Sequence, residues 1–106
     1  MRVVALVGDL MDRSKIAAAV PGAGFAAGPD ECAEADTVIV DVKAHPSAVA
    51  VTRRIAPAAR IVAYGRHDDP EALAAARGEG ADAAMPRSRF FHDPAAAIAG
   101  EARFSR

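Results

Sequence analysis

The stretch DTVIVDV, residues 36–42, decides the fold. Thr37, Val38, Ile39, Val40 and Val42 are β-branched, and the apolar ones do not alternate with polar residues. Such a run suits a strand covered on both faces, as in a parallel sheet. Yet acids stand near both ends, Asp36 and Asp41. A carboxylate closing an apolar strand is either solvated at the tip or sits where a chemical site is built.

Two further runs have the same character, VVALV (3–7) and IVAY (61–64). Ala-rich segments of helical length follow each of the three. DRSKIAAAV (12–20) stops at Pro21-Gly22, and HPSAVAVTRRIAP (45–57) offers Pro46 for a first helical turn and Pro57 for the end. DDPEALAAARGEG (68–80) has Asp69 as N-cap, Pro70 at the first helical position and Glu71 at the positive end of the helix dipole; Gly78 or Gly80 ends it. GFAA (24–27) and ADAAM (81–85) read as weaker strands, and GPDECAEA (28–35) as a turn or two of helix. PRSRFFH (86–92) reads as a loop before a last helix begins at Asp93-Pro94. The alternation predicts an α/β fold, a doubly wound parallel sheet of five strands with helices on both faces, built as a single domain over residues 1–106.

A chain of 106 residues supports one core. A formal net charge of -1 argues against nucleic acid as a general partner, because displacing phosphate counterions needs a basic face. Local basic patches occur at Arg87 to Arg89 and in the terminal ARFSR. No apolar run reaches the roughly 20 residues needed to cross a bilayer. The first apolar run is broken by Gly8 and Asp9 and does not look like a signal peptide, so a cytoplasmic location is expected, with no membrane partner. The single Cys32 follows Asp30 and Glu31, whose charges disfavour a thiolate, and it reads as a packing residue.

In open α/β sheets, sites form beyond the carboxyl ends of the strands. The residues there are Gly8, Asp9 and Asp12 after the first run, and Asp41, Lys43 and His45 after the second. Tyr64, Gly65 and Arg66 follow the next strand, and Pro86, Arg87 and Ser88 the last. His45, His67 and His92 match no short metal-ligand spacing and stand near helix starts. No nucleophile elbow, P-loop or GxGxxG is present.

Three pieces of the chain resemble a response-regulator receiver domain, with its flavodoxin-like, CheY-like fold. VVALVGDLMDRSKI (3–16) resembles the first strand and acidic loop. DTVIVDV resembles the third strand with its phosphate-accepting acid, and residues 60–90 resemble the second half, with the DDPEAL helix start and GAD before the fifth strand. The resemblance implies strand order 2-1-3-4-5, a shortened second helix, Asp41 at the phosphoacceptor position and Asp9 as a metal-binding acid. It sets Gly65 in the place of a hydroxyl residue and Arg87 in the place of a phosphoryl-contacting Lys, with Gly8 and Asp12 lining the site. Mg²⁺ on Asp9 and Asp41 is the only metal it implies; otherwise no cofactor is expected.

The departures define the functional expectation. Gly8 stands where receivers carry a second acid, Gly65 has no hydroxyl, Arg87 is not equivalent to Lys, and the turn VKAHP lacks the family's Met-Pro pair. These changes point to an atypical receiver, or pseudo-receiver, that is not an enzyme and acts by protein–protein contact without phosphorylation. Its partner is expected to be a histidine kinase or other signalling protein. The expected surface is formed by the helix at 68–80, the last strand and the last helix; Tyr64, Arg87, Arg89 and Phe90 lie on or near it, and a homodimer could use the same surface. The alternative is a phosphorylatable receiver with Asp41 as acceptor. A small-ligand-binding flavodoxin-like protein ranks third, because no aromatic pair suits a flavin ring.

Overall fold

Five strands form one parallel sheet in the order β2-β1-β3-β4-β5. They are β1 (Val3–Leu6), β2 (Gly24–Phe25), β3 (Thr37–Asp41), β4 (Arg60–Gly65) and β5 (Ala83–Pro86). The α-helices are α1 (Leu10–Ala19), α2 (Ala48–Ile55), α3 (Pro70–Gly78), α4 (Arg87–His92) and α5 (Pro94–Ala99). The computed structural model describes residues 1–100, so the basic ARFSR segment lies outside the described residues. The receiver order inferred from the sequence is the order observed, and the expected short second helix is a single 3-10 turn, Pro29–Cys32.

Every residue of β1 and β3 is buried, which explains runs that do not alternate. Val38 and Val40 join Leu6, Val49, Ile61 and Leu73 in a core layer beneath α2 and α3. Ile39 points the other way, into a layer with Ile16, Val62, Tyr64, Phe90 and Ile98 beneath α1, α4 and α5. Val4, Leu6, Val38, Val40 and Ile61, the residues the sequence pattern places at the centre, are all 5% exposed or less.

The capping signals hold at α3 and α5. Asp69 accepts from Ala72 N at 3.1 Å, and Asp93 accepts from Ala96 N at 3.1 Å. Two expectations are corrected. Residues 87–92 form a helix, because Phe90 must reach the core while β5 ends at Pro86. Pro46 lies before α2 rather than in its first turn; the chain leaves β3 through turns in which His45 N bonds Asp41 O and Ala48 N bonds His45 O.

At the opposite, amino-terminal edge of the sheet, Arg53 gathers the segments that lead into β4 and β5. Its guanidinium donates to the carbonyls of Pro57, Ala59 and Gly80, and to the Asp82 carboxylate at 2.8 Å. Gly80 has φ +117°, and a Cβ there would lie 2.9 Å from Arg53 Cγ, so glycine serves both the turn and the approach.

Candidate functional site

The carboxyl ends of β1, β3 and β4 and the start of α4 surround a cleft of about 310 Å³. Asp9, Asp12, Asp41, Gly65 and Arg87 all line it, joined by Lys43 and Arg66. The structure thus brings five of the sequence candidates to one cleft, and β1 pairs directly with β3, which sets the strand ends next to Asp9 and Asp41 side by side. Gly8 follows β1 and is exposed, but does not line the cleft.

Within the cleft, each acid has a different status. Asp9 caps α1, its Oδ1 accepting from Asp12 N at 3.0 Å. Asp41 is 9% exposed, and its Oδ1 accepts from Lys43 N at 3.1 Å. Asp12 is 1% exposed and fully engaged. Arg87 donates to both of its oxygens, NH1 to Oδ2 at 2.5 Å and NH2 to Oδ1 at 2.8 Å, and the Tyr64 hydroxyl donates to Oδ2 at 3.0 Å. The Arg87 hydrogen bonds hold the Asp12 carboxyl below the usual carboxylate range, against the opposing effect of burial.

Asp12 lines the site as expected but is a poor metal ligand, since a carboxylate gripped by a guanidinium and a phenol has little left for a cation. The signal was present in the sequence. Asp12 and Ile16 are four residues apart, so they share the inward face of α1, and a buried acid demands a partner.

Strand register revises two assignments carried by resemblance. The row that runs across the sheet from Asp41 continues to Tyr64 and then Met85. Gly65 pairs one step further with Pro86, and Arg87 lies beyond the strand, on α4. Tyr64 thus holds the lateral position beside Asp41, with its hydroxyl turned to Asp12. Burial, followed by the charges of Asp41 and Asp12, pushes its phenol well above the ordinary tyrosine range.

The supposed interaction face also needs correction. Tyr64 and Phe90 are 0% exposed and stack with centroids 4.9 Å apart, while Phe91 meets both rings edge-on. Neither Tyr64 nor Phe90 can touch a partner, because α4 folds the aromatic pair over β4. Arg89 is exposed and Arg87 partly so. Cys32 is buried, and desolvation, then Glu31 and Asp30, raise its thiol pKa.

The donor set does not fit a divalent cation well. Mg²⁺ takes hard oxygen ligands, with carboxylates supplying the charge. Among the described residues no three His, Cys, Asp or Glu side chains converge as a metal-binding group. Only Asp9 and Asp41 remain as acids, and cationic side chains of Lys43, Arg66 and Arg87 share the cleft.

No family model and no curated protein matches the chain. Its structure is similar to that of a response regulator from Thermotoga maritima, at 15% identity over 81% of this chain and 83% of that one, with a TM-score of 0.66. It is also similar to a response regulator protein from Burkholderia pseudomallei, whose structure carries a phosphorylated aspartic acid, a calcium ion and citrate. There the identity is 16% over 98% of this chain and 74% of that one, with a TM-score of 0.67. The chain therefore has the response-regulator receiver fold. No helix among the described residues is long and apolar enough to cross a membrane.

Proposed function

We propose that this chain is a receiver-like signalling module that works by protein–protein contact and does not take a phosphoryl group on Asp41. One observation carries the reading: Arg87, the cation the resemblance assigned to the phosphoryl group, is aimed at Asp12 and makes no hydrogen bond to Asp41 among the described residues. Phosphoryl transfer is catalysed by donors and cations already aimed at the developing charge. Here the hydroxyl beside Asp41 also points at Asp12. The Burkholderia protein carries a phosphorylated aspartic acid and a calcium ion; this chain brings two available acids to the equivalent edge.

In this reading the domain has no catalytic role and works in the cytoplasm. Its partner is a kinase or another signalling protein, met on the surface of α3, β5 and α5, where Arg77 is exposed and the exposed Arg89 of α4 borders the same groove. A second copy could use that surface. Tyr64 and Phe90 serve it only from beneath, by fixing α4.

A second reading, a phosphorylatable receiver, draws support from Asp41 lining an open cleft with Lys43 and Arg66. Incubation with acetyl phosphate and Mg²⁺, followed by intact mass spectrometry, separates the two. The expected result is no adduct. An adduct on the wild type that Asp41→Asn abolishes would establish the second reading.

A further inference from the structure

Beside the acidic cleft lies a second pocket, of about 330 Å³, whose lining contains no acid among the described residues. Its walls are Lys15, Arg66, His67, Arg87, Ser88 and Phe91. In a chain with a net charge of -1, such a one-sided lining is not an average sample of the surface.

The cations are held in place. Lys15 Nζ lies 5.3 Å from the Phe91 ring centroid, and Arg87 Cζ lies 5.2 Å from the same centroid. Asp12 grips Arg87 with two hydrogen bonds. Asp68 does the same for Arg66, at 2.9 and 2.8 Å. Both carboxylates orient their arginines, and neither lines the pocket. Ser88 adds a hydroxyl donor at the first turn of α4. Preorganised guanidinium groups suit the oxygen geometry of phosphate, and an ammonium adds a compact charge.

We infer that this pocket binds the phosphate dianion of a small molecule, through Lys15, Arg66, Arg87 and Ser88, with Phe91 as its apolar wall. The volume falls at the small end of ligand-binding sites and admits an anion larger than a single phosphate. The inference does not depend on the state of Asp41, which lines the neighbouring cleft.

The test is an amide NMR titration of the full chain with inorganic phosphate and with pyrophosphate, at ionic strength held constant with chloride. Saturable shifts are expected at Lys15, His67, Ser88 and Phe91. Lys15→Ala, at an exposed position absent from the acidic cleft, is expected to weaken binding about fivefold, with Ser88→Ala acting in the same direction. Both variants keep the wild-type fold, which their spectra report. Shifts confined to Lys43 and Gly65 would overturn the assignment. So would affinity unchanged in Lys15→Ala, or no saturation by either anion up to about 10 mM.

Discussion

Arg87 and Asp12, 75 residues apart in the chain, form a two-point ion pair in which the acid is 1% exposed and the arginine side chain 43%. The pair joins the start of α4 to α1 across the end of the sheet. Its asymmetry matters: the arginine has water available, whereas the acid has only Arg87, Tyr64 and the protein interior.

Removing the two partners should therefore have unequal effects. Arg87→Ala strands a buried carboxylate and should cost about 2–4 kcal/mol, below the range for a fully buried pair because the guanidinium is partly solvated. Asp12→Leu combined with Arg87→Met should recover much of that loss, as removing both charges leaves none unpaired. Urea unfolding measures both. A loss under about 1 kcal/mol for Arg87→Ala would mean that the pair behaves as an exposed one.

Tyr64 is the only tyrosine, so phenolate absorbance reports it alone. Its folded pKa is raised, chiefly by burial, above the ordinary value of about 10. Stability from the neutral phenol is thus complete below that value and is lost as pH rises beyond it. The absorbance should appear only together with loss of the folded circular dichroism signal. A separate, non-cooperative titration near pH 10 would show an accessible ring.

Asp12 acts at the other end of the scale. Its folded pKa is depressed, chiefly by the Arg87 hydrogen bonds, so its contribution is present above the unfolded value of about 3.9 and fades as pH falls below it. Wild-type stability should drop through that acid range more steeply than that of Asp12→Asn. Equal slopes would remove Asp12 from the acid response.

Restoring a hydroxyl at Gly65 should not restore phosphoryl chemistry. A Cβ there would lie 2.8 Å from Val42 Cγ2 and 3.2 Å from Leu73 Cδ2, so Gly65→Ser should cost about 1–3 kcal/mol by overpacking. Val42→Ala in the same chain should relieve part of the loss. Wild-type stability in Gly65→Ser would show that the neighbours yield without cost.

The fold was legible because its signals are local and repeated. DTVIVDV and VVALV announce covered strands, and Asp69-Pro70 and Asp93-Pro94 announce helix starts. Residues 86–92 misled, because Arg and Ser among the aromatics look like loop chemistry, while tertiary burial of Phe90 makes them helical. The site was half legible. Strand ends identified Asp9, Asp41 and Arg87, but the Asp12 pairing depends on register and on a helix that forms after β5, neither of which is written in any short stretch. For the same reason Tyr64, at a strand end, read as part of an interaction face although a neighbouring helix covers it.

The Arg53 fork also separates two burdens in space. Its acceptors all lie at the pole where the chain runs into β4 and β5, across the sheet's length from Asp41 and the basic pocket. Residues at the cleft are thereby relieved of holding these two strands together. Drift in the recognition residues can proceed with modest loss of fold, whereas Arg53 itself tolerates little, because the single ammonium of a lysine cannot reach acceptors spread over two chain segments.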